Sequence, residues 1–302
     1  MRESCNRVLV WMGFFLLAGL ILFSGCGKDE KPVEVPTSIS FIRDYDSALA
    51  IAQEEDERLV LDFYTSWCSW CKRLDSVTFA DSTVIAASAS MVFAKIDAEE
   101  DTITAQRYSV NSFPTVVLAN SDGTEIDRIG GYLPPAKFLE TINDYLNGIK
   151  TLDYYLQVAD TSPTMEVHSI LGQKYKARGK YDEAKEYYEK VLAADSVSGD
   201  TLVADAMLSI GGLYYRLKDY DKSVDQYDKV LKKFEDNDIK LEAILMKAYV
   251  YRQKGDTTKA IATYEKVIKD FPDFEKLDRV EEMIEKLKNP PPPEEEEGQE
   301  GK

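Results

Sequence analysis

Two cysteines, Cys68 and Cys71, are separated by two residues and follow an apolar run at residues 58–64, which we interpret as a buried strand. The residues directly after the pair are typical of a helix. Cysteines with this spacing at the start of a helix can close a small disulfide ring and reopen it. The free N–H groups and the positive dipole end of a helix N-terminus favour a thiolate there. The pair therefore predicts thiol–disulfide exchange.

Half of a zinc site is the alternative interpretation of a Cys-x-x-Cys pair. Structural zinc takes four ligands, mostly Cys and His. The chain has four cysteines and one histidine, His168, and the other two cysteines, Cys5 and Cys26, do not form a second closely spaced pair. We therefore favour a redox site over a metal site. Thiol–disulfide exchange needs no bound cofactor, because the cysteines themselves carry the electrons.

The first 25 residues have the pattern of a signal peptide. Arg2 and Arg7 precede an apolar run at residues 8–23, which is short for a membrane span of roughly 20 residues. Small residues then precede Cys26, and this junction resembles a bacterial lipobox. We predict a signal peptide at residues 1–25, lipidation of Cys26 and a flexible tether at residues 26–38. An uncleaved membrane anchor is the alternative.

Both alternatives place the remainder outside the cytoplasm and attached to a bacterial membrane. We expect the periplasmic face of the outer membrane, or the cell surface. Loss of Cys5 and lipidation of Cys26 would leave Cys68 and Cys71 as the remaining thiols. The chain is acidic, with 54 Asp and Glu against 37 Lys and Arg and a net charge of −17. This charge argues against nucleic acid as a partner, because phosphate backbones attract basic surfaces.

The length of 302 residues predicts about two domains. Residues 39–148 mix apolar runs with amphipathic stretches, which indicates an α/β domain. Within it we predict helices at residues 45–53, 72–77, 84–90, 103–108 and 135–146, and strands at residues 59–64, 91–97, 116–119 and 125–129.

Further positions in this domain accompany the cysteine pair at fixed offsets. Asp62 lies six residues before Cys68, and Trp67 directly precedes it. Pro114 stands between a hydrophobic residue and a threonine, and Lys95 lies 19 residues before it. Together these positions resemble the thioredoxin family, which has a buried acid, a nearby lysine and a cis-proline loop at the same places. The resemblance implies a central mixed sheet flanked by helices.

The resemblance also implies a role for each residue. Cys68 would be the attacking thiolate at an exposed helix start, and Cys71 the resolving thiol, so that the two form a redox disulfide. Asp62 would be buried, with its pKa raised by desolvation, and would relay a proton to or from Cys71. Protein thiols or disulfides would be the substrates.

Substrate binding is assigned to Trp67, Trp70, Phe113 and Pro114. Pro114, in cis, would hold the Phe113 backbone where a substrate strand can pair with it. Ser69 and Trp70 stand where the common reducing thioredoxins have Gly-Pro, so the direction of electron transfer stays open, with a reductase or isomerase favoured. The sequence around the pair is similar to periplasmic thioredoxin-like proteins and to membrane proteins that supply reducing thiols. We therefore expect a membrane thiol-reducing partner.

A repeated pattern begins after residue 148. Gly172, Gly211 and Ala248 start equivalent series of aromatic and small residues, 39 and then 37 residues apart. The series resembles the tetratricopeptide repeat, a helix–turn–helix unit of about 34 residues. We predict three all-α units at residues 149–288, including a joining helix and a capping helix, with most tyrosines in the core. The proline- and glutamate-rich residues 289–302 are predicted to be disordered.

Two functional hypotheses follow. In the first, the chain is a membrane-tethered extracytoplasmic thiol–disulfide oxidoreductase whose repeats dock protein substrates. In the second, the repeats are a protein-binding module, and the thioredoxin-like domain is a scaffold or a redox sensor.

Overall fold

The computed structural model describes residues 36–194 and 201–290. The predicted signal peptide, the lipidation of Cys26, most of the tether and the tail from residue 291 onward lie outside the described residues. Within the described ranges, no helix combines the length and the apolar composition that crossing a bilayer requires.

The first domain is built on one mixed sheet of five strands. Its spatial order is β1-β3-β2-β4-β5, and β2 pairs in parallel with β3 and antiparallel with β4. β4 pairs antiparallel with β5, and β1 pairs in parallel with β3. The strands are β1 Phe41–Ile42, β2 Arg58–Tyr64, β3 Met91–Asp97, β4 Thr115–Ala119 and β5 Glu125–Gly130.

Five helices flank the sheet, and the predicted α/β fold class is confirmed. The helix predicted at residues 72–77 begins within α2 and continues as a π-helical turn, Leu74–Thr78. A short 3-10 segment, Ser88–Ser90, follows α3. The helices are α1 Tyr45–Glu55, α2 Ser69–Arg73, α3 Ser82–Ala87, α4 Thr102–Arg107 and α5 Pro135–Leu146.

Both faces of the sheet are covered, which explains why β2 is a continuous apolar run rather than an alternating one. Leu59, Leu61 and Phe63 pack on one face in a cluster that includes residues of α1 and α4. Val60 points to the opposite face, into a cluster with residues of α3 and α5. By the same alternation, Asp62 lies on the Val60 face, so its carboxylate is buried in the core.

The second domain is a stack of helices, and the predicted all-α repeat fold is confirmed. Three helix pairs, α7/α8, α9/α10 and α11/α12, follow the joining helix α6, and α13 packs against α12. The helices are α6 Leu152–Thr161, α7 Met165–Ala177, α8 Tyr181–Ala193, α9 Thr201–Arg216, α10 Tyr220–Lys233, α11 Asn237–Lys254, α12 Thr257–Asp270 and α13 Leu277–Lys288.

Each of the first two helix pairs is closed by a glycine facing a buried tyrosine. A Cβ atom on Gly172 would lie 2.6 Å from the ring of Tyr188, and one on Gly211 would lie 2.7 Å from the ring of Tyr227. These distances are too short for a real contact, so only glycine lets the two helices approach this closely. Both tyrosines are almost fully buried, as predicted for core residues.

A buried ion network joins the two domains. Asp127 on β5 has no exposed surface, and its carboxylate lies 2.8 Å from Lys174 and 2.9 Å from Arg178, both on or next to α7. It also accepts a hydrogen bond of 2.6 Å from the backbone N–H of Leu152 at the start of α6. The adjacent Arg128 donates to the carbonyl of Ala177 at 2.9 Å. We call Asp127, Arg128, Lys174 and Arg178 the domain junction. It fixes the first repeat against β5.

Candidate redox site

The cysteine pair lies at the N-terminus of α2. Cys68 is the N-cap residue of this helix, and its Sγ accepts a hydrogen bond of 3.0 Å from the backbone N–H of Cys71. The two sulfurs are 2.11 Å apart and form a disulfide. The N-cap position brings the Cys68 sulfur to the unsatisfied N–H groups of the first helical turn. These groups would stabilise a thiolate at Cys68 after reduction.

The expectation of an exposed Cys68 is wrong for this disulfide state, because only 5% of the residue is exposed. Its side chain folds back onto the first turn of α2, where Sγ is bonded to Cys71 and accepts the helix N–H. The large exposed side chains of the motif are those of Trp67 and Trp70, at 67% and 56%. A substrate therefore meets two indole rings beside a largely covered disulfide.

The Trp67 side chain is held by Glu99, which the sequence analysis did not identify. The indole N–H donates to Glu99 Oε1 at 3.0 Å, and the backbone N–H of Ser66 donates to Oε2, also at 3.0 Å. These bonds, those from Ser66 foremost, lower the pKa of Glu99. The other side of Trp67 packs edge-on against Phe113, with ring centroids 6.1 Å apart. The indole is thus fixed between an anion and the predicted substrate loop.

The loop before β4 carries the predicted proline. The Phe113–Pro114 peptide bond is cis, which is the geometry that the resemblance implies. Pro114 is buried and Phe113 is half-buried. The hydroxyl of Thr115 donates to the carbonyl of Ser112 at 2.8 Å and closes the turn. Through the Trp67–Phe113 contact, this loop lies beside the cysteine motif.

Asp62 is buried in the core, with 1% of its surface exposed. Its Oδ2 lies 3.1 Å from Lys95 Nζ, directly opposite it on β3. Burial raises the pKa of Asp62 to about 6, and the nearby Lys95 only partly offsets this effect. Among the described residues, Oδ1 of Asp62 has no hydrogen-bond partner. The carboxyl can therefore gain and lose a proton near neutral pH.

Lys95 is shared between two carboxylates. It also contacts Asp75, which lies four residues after Cys71 and whose side chain is 42% exposed. The charge of Asp75 acts to raise the pKa of Asp62. The Lys95 ammonium also lies 5.0 Å from the ring centre of Tyr64. The chain Asp62–Lys95–Asp75 thus leads from the core to the surface of the domain.

The structure brings together the predicted residues Cys68, Cys71, Trp67 and Phe113, and it buries Asp62 in the same domain. Trp70 does not share the contact of Trp67 with Phe113 but stacks on Tyr132, with ring centroids 5.7 Å apart. The catalytic and substrate-binding roles of these residues stay predictions. Within the described ranges, no group of three or more His, Cys, Asp or Glu side chains is arranged to hold a metal ion.

Comparison with family models identifies both domains. Residues 45–146 match the model described as "Thioredoxin-like domain". Residues 163–236 and 242–273 match two models described as "Tetratricopeptide repeat". The chain is thus a thioredoxin-like domain followed by tetratricopeptide repeats.

Similar proteins include "Thiol:disulfide interchange protein DsbD" of Pseudoalteromonas atlantica, 29% identical over 101 residues that cover 32% of this chain and 17% of the relative. "Protein disulfide-isomerase 5-2" of Arabidopsis thaliana is 25% identical over 220 residues, covering 67% of this chain and 48% of the relative. A thioredoxin from Thermus thermophilus aligns with a TM-score of 0.33 and 26% identity, covering 35% of this chain and 86% of the other. The chain spans less than half the length of both curated relatives.

Proposed function

We propose that this protein is a thiol–disulfide oxidoreductase acting on cysteine-containing proteins, with reduction or isomerisation as the favoured direction. The observation that carries the proposal is the Cys68–Cys71 disulfide at the start of α2, beside a cis-proline loop and in a domain with a buried Asp62 of raised pKa. The match to the thioredoxin-like domain model supports it, and so does the similarity to a protein named for thiol:disulfide interchange.

In the reducing direction, the Cys68 thiolate attacks one sulfur of a client disulfide. A bond forms between the two sulfurs, the client disulfide breaks, and the second client sulfur leaves as a thiolate. The Cys71 thiol then gives its proton to Asp62, and the Cys71 thiolate attacks the Cys68 sulfur. This closes the Cys68–Cys71 disulfide and releases the first client sulfur as a thiolate. The client gains two electrons and the cysteine pair loses two.

A second dithiol must return these two electrons to the Cys68–Cys71 disulfide. We propose a membrane-bound thiol-reducing partner for this step. The same cysteine pair, kept partly reduced, could also rearrange client disulfides without net electron transfer.

Asp62 suits the proposed proton transfer. With a pKa of about 6, its carboxylate is mostly ionised at neutral pH and can accept a proton, yet the protonated form is readily reached. A base with a pKa near the working pH is the most effective proton acceptor. Lys95 keeps this carboxylate from an even higher pKa, because burial alone would raise it further.

The proposal includes a location and a role for the repeats. We propose attachment through a lipid on Cys26, at the periplasmic face of the outer membrane or at the cell surface. This rests on the sequence pattern of residues 1–26. The repeats would dock protein clients, which is consistent with their match to tetratricopeptide models and with the domain junction that fixes them to the redox domain.

The Cys71→Ser variant tests the exchange chemistry. It should accumulate mixed disulfides through Cys68, because nothing resolves the first intermediate. Non-reducing gels and mass spectrometry would show the trapped partners, and the matched Cys68→Ser/Cys71→Ser variant should trap none. The proposal is wrong if the single variant traps nothing and the wild type fails to reduce insulin.

A second candidate function is a protein-binding lipoprotein in which the thioredoxin-like domain is a scaffold or a sensor. An aromatic cleft along the repeats favours binding of a protein segment. Pull-downs with the wild type and the double cysteine variant separate the two functions. Under the binding hypothesis, both proteins capture the same partners and support the same phenotype.

A further inference from the structure

The first helices of the three repeats and one loop of the redox domain line a single cleft of about 530 Å³. Equivalent positions of α7, α9 and α11 form its long wall. Residues before the cis-proline and at the end of β5 also line it. We call it the repeat cleft; the lining residues used below are Asn111, Ser112, Lys176, Tyr215, Arg216 and Tyr249.

The loop before the cis-proline lies next to both the repeat cleft and the redox site. Asn111 donates to the hydroxyl of Tyr181 on α8 at 3.1 Å, so the loop and the first repeat are in direct contact. Ser112 lines the cleft and lies two residues before Pro114, which is about 7 Å of extended chain. The next residue, Phe113, packs against Trp67 of the cysteine motif. A chain paired with this loop is therefore within a few residues of the cleft.

The charge of the cleft is opposite to that of the protein. Lys176 and Arg216 both line it and are exposed to solvent, whereas no Asp or Glu lines it. Within the described part of the chain, neither cation forms an ion pair, although the whole chain has 54 acids against 37 bases. Although Lys176 reaches solvent, the surrounding atoms partly desolvate its ammonium group, and this desolvation and the charge of Arg216 lower its pKa, whereas Glu242 and Asp205 oppose this with smaller effects. An anion between the two cations would relieve their repulsion.

The remaining side chains suit a peptide. The hydroxyls of Tyr215 and Tyr249 lie 3.1 Å apart, and their rings supply apolar surface beside polar groups. Packed helices are about 8–10 Å apart, so cations on α7 and α9 match carboxylates about three residues apart on an extended chain.

We infer that the repeat cleft binds an extended acidic segment of the client polypeptide, located about three to six residues from the client cysteine that reacts with Cys68. The inference rests on the proposed function, and it adds the class of substrate and the part of the substrate that is recognised. The domain junction holds the two walls of the cleft together, so that the cysteine and the acidic segment are bound at a fixed separation.

Peptides with one cysteine, carried as a mixed disulfide with 2-mercaptopyridine, test this inference on the reduced full-length protein. Attack by the Cys68 thiolate on the peptide sulfur releases the pyridine thiolate, which is followed by absorbance. In one peptide, a run of four glutamates ends three residues before the cysteine, and in another it begins three residues after the cysteine. The matched control peptides carry glutamines at the same positions. We expect one glutamate peptide to react about tenfold faster than its glutamine match at low salt, as two partly exposed ion pairs would give.

Two sets of variants locate the effect. The preference for glutamate peptides should vanish in Lys176→Gln/Arg216→Gln. The variant Lys176→Glu/Arg216→Glu should instead react faster with a peptide that carries lysines in place of the glutamates. Misfolding would not produce this new preference. The matched control is Lys229→Gln/Lys232→Gln, which removes two exposed cations on α10 outside the cleft and should keep the wild-type preference.

The small neutral disulfide 2,2′-dithiodipyridine distinguishes a failure of the inference about the cleft from a failure of the proposed function. If the wild type reacts with this small disulfide but treats glutamate and glutamine peptides alike, the inference about the cleft is overturned and the proposed function stands. If it reacts with neither the small disulfide nor any peptide, the proposed function itself fails. If the wild type shows no preference for glutamate and deletion of residues 291–302 alone creates one, the chain's own acidic terminus occupies the cleft, and the assignment to clients is overturned.

Discussion

Replacement of Asp62 by asparagine should stabilise the thioredoxin-like domain at neutral and alkaline pH. Asp62 is buried on β2, and its pKa is raised from 3.8 to about 6 because burial outweighs the attraction of Lys95. Asparagine keeps the shape of the side chain without its charge. Lys95 keeps its contact with Asp75 and its position over the ring of Tyr64, so the substitution leaves no isolated cation in the core.

The raised pKa of Asp62 determines the direction and the magnitude of this change in the free energy of unfolding. Between pH 3.8 and about 6, the folded state binds more protons than the unfolded state, so the free energy of unfolding falls as pH rises through this window. The full penalty applies above the folded-state pKa. At about 1.4 kcal/mol for each pH unit, it amounts to about 3 kcal/mol. From a pH below 3.8 to pH 8, the free energy of unfolding of the wild type should therefore fall by about 3 kcal/mol more than that of Asp62→Asn.

Urea unfolding of the oxidised proteins, followed by tryptophan fluorescence at several pH values from 4 to 8, measures the difference. Two of the three tryptophans, Trp67 and Trp70, lie beside the cysteines, so the signal reports on this domain. A difference between variant and wild type that does not grow with pH would refute the reasoning. Asp75→Asn is the companion variant: it should move the inflection to lower pH, because Asp75 helps to raise the pKa of Asp62.

Three further predictions concern packing and positioning. Gly172→Ala should destabilise the repeats by about 1–3 kcal/mol, because its Cβ would lie 2.6 Å from the ring of Tyr188. Thermal unfolding followed by far-UV circular dichroism measures this loss, and an unchanged midpoint would contradict the prediction. Asp127→Asn removes the charge of the carboxylate that pairs with Lys174 and Arg178 and leaves Arg178 with Glu125 alone. It should cost about 3–5 kcal/mol, seen as faster limited proteolysis between the domains. Glu99→Gln should loosen Trp67 and shift its fluorescence emission, while the far-UV spectrum stays that of the wild type.

The sequence allowed the cysteine pair and the buried acid to be found, because each is encoded by residue types at fixed offsets within one element or one turn. The bounds predicted for α5 agree with the structure, since a proline opens this helix and an amphipathic pattern runs through it. β1 was missed because Phe41–Ile42 is too short for any periodic pattern. The burial of Cys68 was misjudged because exposure depends on how its side chain folds onto the helix start.

The groups that join distant segments could not be predicted. Asp75 and Glu99 resemble ordinary surface acids in the sequence, and their roles depend on Lys95 and Trp67 being brought beside them by the fold. A signal for the domain junction did exist. Asp127 is a charged residue inside a predicted strand, and Lys174 and Arg178 lie four residues apart in the first repeat, but only the tertiary structure shows that these three charges meet.

The position of β5 has a consequence for how this protein meets unfolded chains. A free sheet edge pairs readily with any extended polypeptide and is a common origin of aggregation. One edge of the described sheet is β1, with two residues, and the other is β5, whose Asp127 and Arg128 are fixed to the first repeat. Charged and covered edges of this kind discourage strand addition. Under the proposed function, the repeats therefore also protect the enzyme from coaggregation with its own clients, and a version without them should lose solubility in the presence of reduced, unfolded protein.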